Sequence, residues 1–212
     1  MDTQRLGPRL YLATPPIDDP AVFTDTLGIA LASADVAAVL LRLDDADERT
    51  LIERVATIAP IVQGGGAALL LDGRSELVER ARADGAHLTG VEAFVTALPL
   101  LKPRLIAGAG GLTSRDDAMR AGERGADYVM FGEPGHDGGR PSFAAIVERV
   151  AWWAELFEVP CVGYAASFEE VAALAQAHAE FVAVGDWVFA DRRGPAAALA
   201  EVTARLMPEG VT

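Results

Sequence analysis

The residues able to do chemistry stand where apolar runs of the sequence end. Arg42 interrupts the run Val36–Leu43 (VAAVLLRL) near its C-terminal end. An arginine there is costly unless paired, and its planar fork of donors suits a carboxylate or a phosphate. It reads either as an anion clamp or as a structural salt bridge to Asp44 or Asp72. Asp72 and Arg74 follow the apolar run Ala67–Leu71, and Thr89 and Glu92 follow Ala86–Leu88. His87 lies inside that short run and reads as a hydrogen-bonded core histidine. The stretch Gly132–Ser142 (GEPGHDGGRPS) carries Glu133, His136, Asp137 and Arg140. It is long, polar and glycine-rich, the composition of a lid over a substrate or of a plain surface loop. His136 is the candidate acid/base group at neutral pH, against the plainer reading of a solvated loop histidine. Gly108, Gly110 and Gly111 let the backbone bend or approach a ligand closely, and Gly185 and Asp186 follow the last apolar run, Phe181–Val184.

Such residues need elements to carry them, and the stretch Leu105–Pro134 shows the pattern. It reads as strand (Leu105–Ala107), glycine turn, helix, glycine turn and strand (Tyr128–Phe131), which is one βαβ unit with a right-handed crossover. Thr113 or Ser114 caps the helix, and Asp116 and Asp117 in its first turn suit the dipole. The same unit recurs along the chain. Further strands are expected at Arg9–Thr14, Val36–Leu43, Ala67–Leu71, Ala86–Leu88, Pro160–Gly163 and Phe181–Val184. Helices are expected from about Asp18 to Ala32, then at Glu48–Ala59, Ser75–Ala83, Val91–Leu101, Phe143–Phe157, Phe168–His178 and Pro195–Leu206, with a short turn at Asp186–Ala190. Eight strands, each followed by a helix, with no linker or composition break, predict one α/β domain over residues 1–212, a closed (β/α)8 barrel. A doubly wound open sheet is the alternative, because alternation alone does not separate the two. In either, ligand residues gather at the carboxyl ends of the strands.

Composition narrows the function. With 51% hydrophobic residues in 212, the chain can bury a sizeable core. No apolar run is long enough to span a membrane, and the N-terminal MDTQRLGPRL has no apolar signal core, so a cytoplasmic location is expected. The net charge of −13 argues against a nucleic-acid partner. The single cysteine, Cys161, forms no internal disulfide and reads as a buried thiol. His87, His136 and His178 show no metal-site spacing. Trp152 and Trp153 are adjacent and face different ways on a helix, one into the core and the other toward a subunit interface.

Over nearly its whole length the chain resembles the thiamine-phosphate synthase family, with its related thiazole tautomerases. RLYLAT matches the first strand, and Leu69–Glu92 (LLLDGRSELVERARADGAHLTGVE) is similar to the family's NDR segment followed by GVHLGQxD. Asp116–Pro134 (DDAMRAGERGADYVMFGEP) resembles EALRAxxxGADYxGxGP, and Phe181–Ala190 resembles GVAVxSAIF. The resemblance implies a (β/α)8 barrel that joins a pyrimidine diphosphate to a thiazole phosphate, with Mg2+ assisting departure of diphosphate. It further implies Arg42, Arg74 and Arg140 on diphosphate, glycines 108, 110 and 185 at phosphate-approaching turns, Mg2+ on Asp72 and Glu92, and a homodimer. A tautomerase-like relative would use Glu133 or His136 as the proton shuttle, and a barrel that binds a small molecule without catalysis is a further alternative.

The chain departs from the family pattern at several of these positions. Of the strand-two Gln-x-Arg-x-Lys only Arg42 is kept, Gly73 stands at the metal aspartate, and Thr-x-Thr-Lys is absent from the lid. Ala165 and Ala166 replace Gly-Gly, and Asp186 stands where the family has serine. Asp186 is expected to cap the short helix that begins there and to oppose a phosphate at its N-terminus. Two like charges about 4 Å apart repel by about 4 kcal/mol at an effective dielectric of about 20.

Overall fold

The structure, a computed structural model, describes residues 7–135 and 138–207. Among the described residues eight parallel strands form one closed barrel in sequence order: β1 (Arg9–Ala13), β2 (Val36–Leu41), β3 (Ala68–Asp72), β4 (Gly85–Thr89), β5 (Ile106–Gly110), β6 (Tyr128–Phe131), β7 (Cys161–Ala165) and β8 (Phe181–Val184). The seam pairs Arg9 with Phe181 and Leu12 with Val184. That seam decides between the two architectures, because an open sheet leaves both edges unpaired.

The helices lie between strands: α1 (Pro20–Ser33), α2 (Glu48–Gly64), α3 (Val78–Ala81), α4 (Val91–Leu101), α5 (Arg115–Glu123), α6 (Phe143–Leu156), α7 (Phe168–Gln176), α8 (Asp186–Phe189) and α9 (Pro195–Leu206). Their starts follow local chemistry. Asp19 accepts from Ala21 N–H at the head of α1, and Ser114 forms a full capping box with Asp117 at α5. Sequence and structure differ where packing overrides a local signal. Pro60 signals an end to α2 at Ala59, yet the helix continues to Gly64, because Leu51, Val55, Ile58 and Val62 keep one apolar stripe on the core. After β3 the expected helix shrinks to a 3-10 turn at Ser75–Leu77 plus α3, which ends in left-handed Arg82.

Alternation along each strand sorts the side chains into two cores. Leu10, Leu12, Val129 and Phe131 face the helices. Tyr11, Ala13, Leu40, Leu70, Tyr128, Met130, Val162, Tyr164 and Ala183 fill the barrel itself. Two tyrosines fit at the barrel centre because β5 has glycine at positions 108 and 110. A Cβ on Gly108 would lie 2.0 Å from Tyr128 Cζ. The glycine turn expected at 108–110 is therefore corrected: both glycines belong to strand β5, and Gly108 makes room for the Tyr128 ring. Trp153 is fully buried and donates to Val159 O at 2.6 Å. Trp152 is half-buried, edge-on to Phe157 with the Arg115 guanidinium 4.7 Å above its ring.

Candidate functional site

Arg42 follows the last residue of β2 and is tied to the end of β1. Thr14, fully buried, accepts the Arg42 backbone N–H on Oγ1 at 3.1 Å, and its carbonyl accepts Arg42 Nε at 2.6 Å. The free end of the guanidinium reaches past the end of β1 to Asp186 at 2.5 Å. The expected alternatives, Asp44 and Asp72, are thus replaced by a partner from beyond β8. Asp186 is the first residue of α8, whose N-cap is Gly185, so it is not the capping residue expected; its carboxylate pairs with Arg42. Gly185 is needed at this junction, since a Cβ would sit 2.1 Å from Tyr164 Oη and 3.5 Å from the Arg42 guanidinium. Burial is the main cause that raises the Tyr164 pKa, so its hydroxyl stays protonated beside that cation.

Arg140 is held over the end of β7. It donates to Glu170 at 2.8 Å and to Tyr164 O at 3.0 Å, while the same Glu170 oxygen accepts Ala166 N–H at 2.7 Å. A carboxylate of the chain itself therefore occupies the backbone donor after β7. Trp187 Nε1 donates to Ala165 O at 2.9 Å and meets Phe168 edge-on, which locks α8 against the β7 end. Arg74 pairs with Asp45 at 2.6 Å. The expected anion residues thus share one end of the barrel, and each already holds a carboxylate.

Glu92, in the first turn of α4 and highly exposed, binds Arg120 of α5 at 2.7 Å. Asp72 ends β3 half-buried. Among the described residues no group of three or more His, Cys, Asp or Glu is arranged to hold a metal ion. His136 and Asp137 lie outside the described residues.

The opposite side of the mouth holds a second arrangement of polar groups. Glu133, just past β6, accepts the Gly111 N–H on Oε1, where Gly111 has a φ of +60°. His87 Nε2 faces that same oxygen at 3.8 Å and has no hydrogen-bond partner, although His87 is only 2% exposed. The other ring nitrogen, Nδ1, is 2.9 Å from Tyr128 Oη, which in turn is 2.8 Å from Tyr11 Oη. The His87 and Tyr128 rings stack with an interplanar angle of 11°. Gly110 makes this possible, because a Cβ there would lie 2.0 Å from Glu133 Oε1 and 2.4 Å from His87 Nε2. Burial is the first cause that raises the pKa of both tyrosines, and the Asp72 and Glu133 charges add to it. The signal for this cluster was present in the period of two: Tyr11 and Tyr128 on inward positions, opposite glycines on β5.

The family model described as thiamine monophosphate synthase matches residues 10–188. A thiamine-phosphate synthase of Rhodospirillum centenum is 41% identical over 196 residues, covering 91% of this chain and 95% of its own. That of Hyphomonas neptunium is 36% identical over 211 residues, covering 93% and 94%. Among solved structures, a thiamine phosphate pyrophosphorylase from Pyrococcus furiosus superposes with a TM-score of 0.76 at 20% identity, over 93% of this chain and 95% of that one. A 3-hexulose-6-phosphate synthase superposes with a TM-score of 0.71 at 16% identity, over 93% and 99%. At these identities the solved structures speak for the barrel alone.

Proposed function

We propose that this chain, which belongs to the thiamine monophosphate synthase family, works as a thiamine-phosphate synthase that couples a pyrimidine diphosphate to a thiazole phosphate. The observation that carries the reading is Arg42. Its backbone and Nε are fixed by buried Thr14, while Nη2 holds a single, largely exposed carboxylate beyond β8. A guanidinium held in that way is prepared for an anion.

The chemistry follows from the pairs already present. Exposed ion pairs contribute only about 0–1 kcal/mol, so a polyanion arriving at the mouth displaces Asp186 from Arg42 at small cost. Arg74, whose partner Asp45 is fully exposed, is available in the same way. Arg140 is more deeply set and holds the end of β7 in place through Tyr164 O, which makes it a rim-shaping group as well as a cation. Departure of diphosphate needs its growing negative charge neutralised, and positioned cations do this. Glu133, at 15% side-chain exposure, is the carboxylate placed on the other side of the mouth for the ring of the bound substrate.

The Mg2+ that the family resemblance implies favours oxygen ligands at close to octahedral geometry. Of the two carboxylates proposed for it, Asp72 ends β3 and Glu92 is paired with Arg120. No step of this reading passes through the metal. The alternatives of a tautomerase-like isomerase and of a binding barrel without catalysis gain nothing from the relatives matched. No helix among the described residues is long and apolar enough to cross a membrane. The test is direct: purified protein, given both substrates with and without Mg2+, forms thiamine phosphate, and Arg42→Ala loses most of that rate. No product under either condition overturns the reading.

A further inference from the structure

The buried groups Tyr11, Tyr128 and His87 lie in one line that ends at Glu133, and a neutral imidazole facing a carboxylate gives that line one direction of donation. Each tyrosine has one proton to give, and burial keeps it in place. His87 Nε2 faces the Glu133 carboxylate oxygen at 3.8 Å. A bare Nε2 lone pair opposite a carboxylate would repel it, so the proton belongs on Nε2. Nδ1 must then accept, which makes Tyr128 the donor across 2.9 Å. Tyr128 Oη, having given its proton, must accept from Tyr11 across 2.8 Å. Gly111 N–H adds a further donor to the same Glu133 oxygen. Every dipole in the row points its positive end at Glu133, and aligned hydrogen bonds reinforce one another in an apolar interior.

We propose that His87 is a positioning residue: with Tyr128 and Tyr11 behind it, it fixes Glu133 as an acceptor turned to the mouth, for the amino-bearing edge of a heteroaromatic ring. This rests on the functional reading above for the pyrimidine, and assigns to the β4–β6 side of the mouth the uncharged or cationic part of the substrate. The anion belongs to the arginines on the other side. His87 Nε2 is too deeply buried to touch a ligand itself, so its effect passes through Glu133. A 3.8 Å separation leaves room for the contact to tighten when a ligand loads the carboxylate.

The test has two arms. Nitrogen-15 spectra of histidine-labelled protein, with the His87 signal identified by its loss in His87→Gln, report which ring nitrogen carries the proton. Expected is protonated Nε2 and bare Nδ1 in the wild type, with that preference lost in Tyr128→Phe. A protonated Nδ1 in the wild type overturns the proposal, whatever ligand is bound. The second arm measures binding of an aminopyrimidine without phosphate, with the ring lacking its amino group as control. Glu133→Gln is expected to weaken the aminopyrimidine about tenfold while leaving inorganic diphosphate unaffected. His87→Gln, whose amide reaches the Nε2 position, is expected to retain most of the affinity, and His87→Asn, which does not reach it, to lose it. Equal loss in both His87 variants means a merely structural residue and overturns the positioning role. Wild-type protein that ignores the amino group overturns the ligand class. Protein that binds the amine through Glu133 yet makes no thiamine phosphate keeps this inference and loses the functional reading instead.

Discussion

The two sides of the barrel mouth solve opposite problems. Toward β1, β2, β7 and β8 the groups are charged, and each cation is met by a carboxylate of the chain: Arg42 by Asp186 and Arg140 by Glu170. Toward β4, β5 and β6 the groups behind the surface are buried rings with hydroxyl and imidazole tips, packed into space left by glycines 108 and 110. The first side is adjustable at Arg42, because its partner Asp186 is largely exposed and such a pair exchanges cheaply, while the deeper Arg140–Glu170 pair holds the rim. The second is rigid, because close packing leaves its rings no alternative position. A mouth built in this way can release one set of contacts to an incoming anion while holding the other set still.

The sharpest way to break the comparison is to fill the space on the rigid side. Gly108→Ala places a Cβ inside the Tyr128 ring, and Gly110→Ala places one between His87 and Glu133. Each is expected to lower stability by about 3 kcal/mol, the upper end for overpacking, read as a fall in the urea midpoint. A loss below about 0.5 kcal/mol would mean that the rings move freely and that the rigid side is not rigid.

On the adjustable side the effects are expected in affinity rather than stability. Arg42→Ala removes a charge-assisted donor, worth about 1.5–3 kcal/mol, so diphosphate binding measured by calorimetry should weaken by roughly 10- to 100-fold. Asp186→Asn should act in the opposite direction. It frees Arg42 and removes a charge that opposes the ligand. At this exposure the gain is about 1 kcal/mol, the aqueous value for charges about 4 Å apart, or roughly fivefold tighter thiazole phosphate binding. Weaker binding by Asp186→Asn would show that the pair organises Arg42 instead of restraining it.

The smallest effect is a control outside the mouth. The Asp191 carboxyl is held down to about 2 by Arg193, whose side chain and backbone N–H both donate to it. A carboxyl depressed on folding adds stability above its ordinary value near 3.8, and that contribution fades as pH falls from there toward about 2. The melting temperature of the wild type should therefore drop more steeply over that interval than that of Asp191→Asn. Parallel curves would place the acid sensitivity elsewhere.

Much of the fold was readable in the chain because its signals are local. Alternating apolar runs, Ser114 with Asp117, and glycine at helix exits specify strands, caps and turns over a few residues. The site was less readable because its partners are far apart in sequence. Nothing near Arg42 points to Asp186, and Asp44 and Asp72 were the obvious candidates by proximity; the choice was made by the closure of β8 on β1. Gly108 and Gly110 carried a signal that was open to two readings, since a glycine that admits a phosphate and a glycine that admits a ring look the same until the facing residue is known. His87 was legible as a buried, bonded histidine, but its second nitrogen faces a carboxylate that lies in a different βα unit.

The seam between β1 and β8 also sets an order of events. The Arg42–Asp186 pair spans 144 residues and the Tyr11–Tyr128 bond spans 117. Contacts of such long range form only after the intervening chain is in place, because loop closure must be met before they are gained. During synthesis the Tyr11–Tyr128 bond therefore waits for β6, and the Arg42–Asp186 pair waits for nearly the whole chain. A nascent chain that stops short of β8 has an Arg42 without its Asp186 and a barrel without its seam.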